Sequence, residues 1–419
     1  PIFEQPIGSV LRIAPKSTAV VWVDADFSGL ASGGYDARLR FVPGYSNDAE
    51  KTLPVAVTVG KADVSEIGMR VHYYHQDSNP VTARLAKEYG INVVVLNIAT
   101  FPLRADGKTP DYTEMDGKVD AFLSAGIARD ELGVRIDLQL PGYADSGFTA
   151  EQKRRLRFMN PEWKTLYAER IRGAVAHLKD KYGIGYDRIE LKVQDEPRGD
   201  PDDPKSKAYA ALKAAEYLRT VDPNLRLGCN PLENRPKQIS RYVKSFDMLE
   251  PYIRGLMDGT EDGGMAESYR MSGREVSSYA IYVKQNTVRQ YRRGFWSNMN
   301  YGFSGYFAVY GLIVASGDPF NSYDYRSPGS NCRSDWNSAY FNGRTGQITP
   351  SRRMEAWYQG LVDMKLFKWC CKRIAERKNR GADMTGVESE LSALLKAADT
   401  PLGDLALARA KLMSIAEGL

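Results

Sequence analysis

Histidine and cysteine are both scarce in this sequence, with three and four residues among 419. A metal site built from either would need them grouped at ligand spacing, and the histidines are scattered along the chain. The adjacent pair of cysteines lies in a stretch with helical periodicity, where packing is the usual role. The sequence therefore predicts no metal and no other cofactor, and it leaves the redox compartment open for Cys229, Cys332, Cys370 and Cys371.

Long apolar runs and single-sign charge blocks are missing as well. Lys and Arg number 57 against 52 Asp and Glu, for a net charge of +5. We expect neither a membrane span nor nucleic-acid binding, although a mildly basic surface tolerates an acidic glycan. The chain starts at Pro1 without an apolar signal segment, and we expect a trimmed leader and a secreted, periplasmic or cell-surface protein. Oligomeric state stays open.

The first 66 residues read as a small all-β module. They contain short alternating runs such as 19–23 and 54–59, separated by Gly, Ser, Asp and Asn clusters, with no helical period. This length is too short for a complete sandwich. We therefore predict a β-sandwich-like module over 1–66, either as it stands or as the incomplete end of a domain whose first strands precede it.

From about residue 68 apolar strands alternate with amphipathic helices, the order typical of parallel strands joined by crossover helices. No Gly-x-Gly-x-x-Gly follows an early strand, which argues against a dinucleotide-binding fold. Eight such units predict a (β/α)8 TIM barrel, of the α/β class, over 67–376 and a helical extension over 377–419. The strand candidates are Met69 to Tyr74, Asn92 to Ile98, Val134 to Leu140, Arg188 to Gln194, Leu225 to Cys229, Phe246 to Pro251, Ser277 to Val283 and Gly305 to Tyr310.

The fourth candidate strand has one apolar face and one polar face. Its polar residues, at 190, 192 and 194, are expected in the barrel lumen, and the same alternation places Glu196 inward at the C-terminal mouth. The third candidate strand repeats the pattern with Arg135 and Asp137. Buried charges need partners, so we predict Arg135 near Glu190 and Asp137 near Lys192.

Asp195 and Glu196 form an adjacent carboxylate pair at the end of this strand, followed by Pro197, which interrupts strand pairing. Glycosidic cleavage needs a proton for the leaving oxygen and stabilisation of an oxocarbenium-like centre, and two carboxyl groups supply both. Mutual repulsion favours one protonated member. The pair thus predicts a glycoside hydrolase, although an acidic loop start in solvent is a common alternative for such a tripeptide.

Several short segments, taken together with their order along the chain, resemble the sequences of glycoside hydrolase family 123 and its uncharacterised barrel relatives. The resemblance covers about residues 50 to 375. The resemblance rests on 195–197, 294–296, 301–306, 318–320 and 350–355, the last leading to Gly360 and Asp363. Two departures bear on the sugar: Leu361-Val362 stands where the family has Glu-Asp, and Tyr310 where it usually has Trp.

The resemblance implies a β-N-acetylgalactosaminidase-like enzyme with substrate-assisted catalysis. On that reading Glu196 is the general acid/base, and Asp195 stabilises the 2-acetamido group as it attacks the anomeric carbon. The residues agree, because the seventh candidate strand ends without a nucleophilic carboxylate and Glu275 lies at its N-terminal end.

Further residues are candidates for binding an oligosaccharide or glycoconjugate, most of them at the predicted mouth, and Trp296 on the helix before the eighth strand, where it suits either a pocket or packing. Aromatic, amide and imidazole side chains there would stack on sugar faces and hydrogen-bond hydroxyls. They are His75, Gln139, Tyr143, Asn230, Glu233, Tyr279, Trp296, Tyr310 and Trp336.

Two alternatives remain open from the sequence. One is a glycosidase acting on another sugar by a two-carboxylate mechanism, with Glu196 and Glu233 as partners. The other is a non-catalytic glycan-binding barrel.

Overall fold

The structure is a computed structural model that describes residues 16, 29–42, 50–72, 79–102, 104, 109–138, 157–232, 235–253, 263–280, 286–307, 338–342 and 347–419. By internal contacts the chain divides into two units, one formed by residues up to 67 together with 362–419, and the other by 68–361. The three-part division expected from the sequence stays a prediction.

Seven parallel strands form one sheet in the 68–361 unit. Spatial neighbours are also consecutive in the chain, so every connection is a crossover between adjacent parallel strands. Each predicted strand from the second to the eighth overlaps one of these seven. The strands are β3 Val93–Asn97, β4 Gly133–Asp137, β5 Ile189–Asp195, β6 Leu227–Asn230, β7 Met248–Leu249, β8 Glu275–Tyr279 and β9 Gly305–Phe307.

The predicted first strand needs correction over its described part, 69–72, which is not a regular strand. The backbone N–H of Val71 donates to the side-chain oxygen of Asn92, at 2.9 Å, instead of to a strand backbone. The Val71 carbonyl still accepts from the backbone of Asn92 and Val93. This segment therefore occupies the first-strand place beside β3, and Tyr74 lies outside the described residues.

Helices join the strands, and several carry clear boundary signals. Asn160 caps the longest connecting helix by accepting from the Trp163 backbone, and Gly183 ends it with a φ of 69°. Thr287 and Gln290 form a capping box on a later helix. The helices of this unit are α1 Pro80–Glu88, α2 Thr113–Ser124, α3 Pro161–Tyr182, α4 Lys207–Val221, α5 Pro236–Ser245, α6 Gly263–Arg270 and α7 Val288–Tyr301.

Side chains from non-adjacent strands meet inside the curved sheet. Arg135 on β4 donates two hydrogen bonds to Glu250, directly after β7, both at 2.7 Å. Arg70, in the first segment, lies 3.5 Å from Glu275 at the start of β8. Strands at opposite positions in the sheet order can share such contacts only around a common lumen. The 68–361 unit is therefore a (β/α)8 barrel, and its C-terminal strand ends form one mouth.

The polar face of β5 points into this lumen, as its alternation predicts. Arg135 lies 3.4 Å from Glu190, which confirms that predicted pairing. Asp137 and Lys192 are register partners on neighbouring strands. However, Asp137 accepts from Arg135, and the Lys192 ammonium donates to Asp195. On the other face Ile189, Leu191 and Val193 are buried, and α4 packs on this strand.

An antiparallel hairpin, formed by β10 Ala339–Asn342 and β11 Gln347–Pro350, precedes the long helix α8 Arg352–Asn379. In the other unit, β1 Gly33–Phe41 pairs antiparallel with β2 Lys51–Val59. The C-terminal region is helical, as predicted. It contains α9 Thr385–Ala398 and α10 Leu405–Gly418. In other parts of the chain, short 3₁₀ turns cover Val64–Glu66, Ile98–Thr100 and Tyr186–Arg188. Within the described ranges, no helix combines the length and apolarity needed to cross a bilayer.

Glu190 provides a test of the charged lumen. Burial, followed by repulsion from Glu250 and Asp137, outweighs Arg135 and raises the Glu190 pKa to about 7. The folded protein thus keeps a proton that the unfolded chain releases as the pH rises above the ordinary value of 4.5. This group's contribution to stability is present at low pH and is lost as the pH rises through about 7.

Glu190→Gln removes that titration. We expect the free energy of unfolding of E190Q, measured by urea titration from pH 4 to 8, to gain about 1–3 kcal/mol relative to the parent across this window. His72, whose pKa is lowered by burial and by Arg135, is present in both proteins and cancels to first order. Exposed Glu131→Gln is the control, and parallel curves for E190Q and the parent would contradict the prediction.

Candidate active site

The end of β5 contains an irregularity that the sequence does not reveal. Lys192 pairs with Gly228 on β6 and Asp195 pairs with Asn230, so three steps on β5 match two steps on β6. This extra residue is a β-bulge, which re-aims the side chain that follows it. Regular alternation would send Asp195 to the face opposite Lys192. The bulge instead brings the Asp195 carboxylate to the Lys192 ammonium.

Glu196 follows in a left-handed backbone conformation, with φ of 46°. Such a conformation costs a non-glycine residue about 1–3 kcal/mol and persists only where the surroundings impose it. Its backbone N–H donates to the Asn230 side-chain oxygen at 3.1 Å, and Tyr242 donates its hydroxyl to the Pro197 carbonyl at 3.3 Å. Glu196 therefore reaches the mouth through the bulge and this turn, and not through strand alternation alone.

Asp195 is held by two donors on a single oxygen. Lys192 Nζ donates to Asp195 Oδ1 at 2.5 Å, and Asn230 Nδ2 donates to the same atom at 2.9 Å. Lys192 is fully buried, whereas the Asp195 side chain keeps 27% of its surface exposed. An ammonium and an amide donor on one oxygen stabilise the ionised carboxylate.

Glu196 has a different kind of partner. The Tyr279 hydroxyl, at the end of β8, donates to Glu196 Oε1 at 2.9 Å. Burial, and then the neighbouring Glu196 charge, raise the Tyr279 pKa, so the phenol stays protonated as a neutral donor. The sequence assigns Tyr279 to substrate binding, and the structure places it against the proposed acid.

Tyr252, three residues beyond β7, is a site residue that sequence reasoning missed. Its ring lies 5.1 Å from that of Tyr279, tilted by 58°, and it is only partly buried. An aromatic face beside the carboxylate pair suits contact with a sugar ring. The available signal was its place directly after the predicted strand Phe246 to Pro251, at the end of the barrel that forms the mouth.

Glu250, directly after β7, is a second missed residue. It is a carboxylate near a strand's C-terminal end, where a nucleophile is expected in a conventional retaining barrel glycosidase. Yet it is almost completely buried, with both oxygens held by Arg135, and His72 lies 3.3 Å away. This arrangement makes Glu250 a structural member of the lumen.

The other predicted site residues have three different outcomes. Trp296 is fully buried in α7, so its assignment to substrate binding is corrected to core packing. Asn230 lies at the site, between Asp195 and Glu196. Outside the described residues lie His75, Gln139, Tyr143, Glu233, Tyr310 and Trp336. In the part of the chain that the structure describes, no group of three or more His, Cys, Asp or Glu residues is arranged to hold a metal ion.

No family model and no curated protein sequence matches this chain. Among solved structures, it is similar to the Bacteroides ovatus GH5 xyloglucanase in complex with a XXXG heptasaccharide, at 12% identity, 78% coverage of this chain, 86% of that chain and a TM-score of 0.43. The Ignisphaera aggregans GH53 catalytic domain aligns at 14% identity, with 70% and 92% coverage and a TM-score of 0.42. The Bacteroides salanitronis GH5-4 broad specificity endoglucanase aligns at 13% identity, with 71% and 90% coverage and a TM-score of 0.41.

The chain's own strand order and contacts define a (β/α)8 barrel with a carboxylate pair at its C-terminal mouth.

The left-handed backbone at Glu196 predicts an unusual response to glycine. At an ordinary position Ala→Gly lowers stability by about 0.5–1 kcal/mol, but glycine adopts this conformation without steric cost. We therefore expect Glu196→Gly to be at least as stable as Glu196→Ala in urea unfolding. At Arg198, whose φ is not positive, Arg198→Gly should be less stable than Arg198→Ala. A glycine penalty of the same size at both positions would show that residue 196 is unstrained.

Proposed function

We propose that this chain is a glycoside hydrolase that cleaves β-linked N-acetylhexosaminides, preferring N-acetylgalactosamine, by substrate-assisted retaining catalysis. One observation carries the proposal. Two adjacent carboxylates lie at the barrel mouth with unlike partners, a buried ammonium for Asp195 and a neutral phenol for Glu196. Unlike surroundings give two neighbouring carboxyl groups separate tasks.

Glu196 is the proton-transferring group in this proposal. A general acid/base must change between its protonated and ionised forms during the reaction. The Tyr279 hydroxyl is a neutral partner, which accommodates both forms better than a fixed cation would. Glu196 also lies at the end of a barrel strand, where the barrel's mouth admits a substrate.

Asp195 is the orienting group. Its ionised carboxylate would accept from the acetamido N–H, which raises the nucleophilicity of the acetamido oxygen and stabilises positive charge as the ring closes. The partial exposure of its side chain leaves surface toward the mouth.

The proposed reaction needs no nucleophile from the enzyme. The acetamido oxygen forms a bond to the anomeric carbon as the glycosidic C–O bond breaks, and the leaving oxygen takes the proton from Glu196. The resulting oxazolinium ion is opened by a water that returns a proton to Glu196, with overall retention of configuration.

Two features support a nucleophile supplied by the substrate. Both carboxylate oxygens of Glu250, after β7, accept hydrogen bonds from Arg135. The neighbouring strand, β8, ends at Tyr279, which is a phenol and not a carboxylate. In the described ranges these strand ends thus present no unpaired carboxylate opposite Glu196. The preference for an N-acetylated galactose derivative rests on the family 123 resemblance.

The test compares the parent with Glu196→Gln and Asp195→Asn on an aryl N-acetyl-β-galactosaminide. We expect E196Q to lower kcat by about 10²–10⁴-fold, because proton transfer is lost. D195N should lower it by about 10²–10³-fold, because the developing charge is no longer stabilised. Asp187→Asn, at the opposite end of β5 and exposed, is the matched control and should leave kcat unchanged.

A thiazoline mimic of the oxazoline separates the alternatives. The proposal requires competitive inhibition by this compound and no cleavage of the matching substrate without the acetamido group. Failure to bind it, with turnover of the simple glycoside, would indicate the two-carboxylate mechanism. No turnover of any glycoside, with sugar affinity unchanged in E196Q, would indicate a glycan-binding barrel.

A further inference from the structure

Lys192 is the buried cation nearest the proposed acid pair. It lies in the interior of β5 with no exposed side-chain surface, and its Nζ is 2.5 Å from Asp195 Oδ1. An ammonium group removed from water is costly unless a negative partner compensates it. Lys192 and Asp195 thus depend on one another energetically.

The surrounding lumen explains why Asp195 is that partner. The two neighbouring strands place Asp137 and Gly228 in register with Lys192. Asp137 accepts from Arg135 at 3.2 Å, and a side chain at 228 would collide with Glu190, since an added Cβ would lie 2.5 Å from its carboxylate oxygen. The bulge then carries the Asp195 carboxylate to the ammonium.

Asn230 extends this contact to Glu196. Its Nδ2 donates to Asp195, and its Oδ1 accepts from the Glu196 backbone N–H. The side-chain amide therefore has a fixed orientation, with its donor toward Asp195 and its acceptor toward Glu196. Lys192, Asp195, Asn230 and the Glu196 backbone form one continuous set of hydrogen bonds.

We infer that Lys192 is a positioning residue that fixes Asp195 as the anionic member of the pair and thereby leaves proton transfer to Glu196. This inference rests on the proposed function and names a residue that acts through Asp195 without touching substrate. Its distinguishing consequence is energetic coupling. Removing the ammonium should lower activity much more while the carboxylate is present than after it has been neutralised.

The experiment is a double-mutant cycle with Lys192→Met, which removes the charge at similar length, and Asp195→Asn. We expect K192M to lower kcat for the aryl N-acetyl-β-galactosaminide by roughly 10–100-fold in the parent background, with a smaller change in KM. In the D195N background the further loss should be less than about threefold. K192M should also weaken thiazoline binding, measured by calorimetry, in the parent background only.

Stability supplies a readout that does not depend on activity. D195N leaves a buried ammonium facing an amide, so adding K192M to D195N should raise the denaturation midpoint, whereas K192M alone should lower it. Lys213→Met, at a surface side chain that is 43% exposed, controls for the chemical change and should alter neither activity nor stability appreciably. Circular dichroism checks that each variant is folded, and Lys192→Gln replaces K192M if that variant does not fold.

The outcomes separate this inference from the proposed function. An active parent whose K192M and D195N losses multiply independently would overturn the role of Lys192 and leave the proposed function standing. So would an active parent whose kcat is unchanged by K192M. A parent inactive on the acetamido substrate would overturn the proposed function, and with it the role inferred for Lys192.

Discussion

The bidentate contact of Arg135 with Glu250 is the interaction on which the rest of the barrel interior depends. The two residues lie on opposite sides of the lumen, so their contact links strands that share no backbone hydrogen bonds. A buried ion pair is often no more stabilising than well-packed apolar groups. Removing one partner is strongly destabilising, however, because the other charge stays buried without compensation. Arg135 also contacts Glu190 and Asp137. The guanidinium thereby compensates several carboxylates at once.

This distribution of charge connects the lumen to the mouth. Barrel interiors are commonly filled with layers of branched apolar side chains, which pack well but carry no directional interactions. Here, hydrogen-bonded charges occupy those positions, and Lys192, on the same lumen face, donates to Asp195, the residue before Glu196. A site supported by buried, hydrogen-bonded groups is held close to its working geometry before a substrate arrives. The strain at Glu196 is sustained on the same basis, because Asn230 fixes the backbone there.

The sequence predicts the repeating architecture well and the local geometry of the site poorly. Alternation along β5 correctly indicates a polar lumen face, and complementary charges correctly pair Arg135 with Glu190. The bulge escapes prediction because it is defined by register against β6 and not by the residues of β5. Glu250 was missed for a related reason. Its partner is distant in the chain, and β7 has only two residues, too few for a period to show. Trp296 illustrates the remaining ambiguity, because an aromatic residue on an amphipathic helix suits a pocket and a core equally, and only packing decides.

The adjacency of Asp195 and Glu196 in the chain also limits which glycosidase mechanisms are open to this pair. Conventional retaining glycosidases separate acid and nucleophile by about 5 Å across the scissile bond, which a barrel achieves by placing them on different strands. Asp195 and Glu196 are consecutive, and regular strand geometry would point them to opposite faces. The bulge and the left-handed turn overcome this at a conformational cost that ordinary loop acids would not require. In the proposed reaction, proton transfer by Glu196 and orientation of a neighbouring substituent by Asp195 come from one side of the anomeric centre. A nucleophile carried by the sugar's second carbon fits this arrangement, because it is already attached to the ring that it attacks. No second carboxylate is then needed on the other side of the scissile bond.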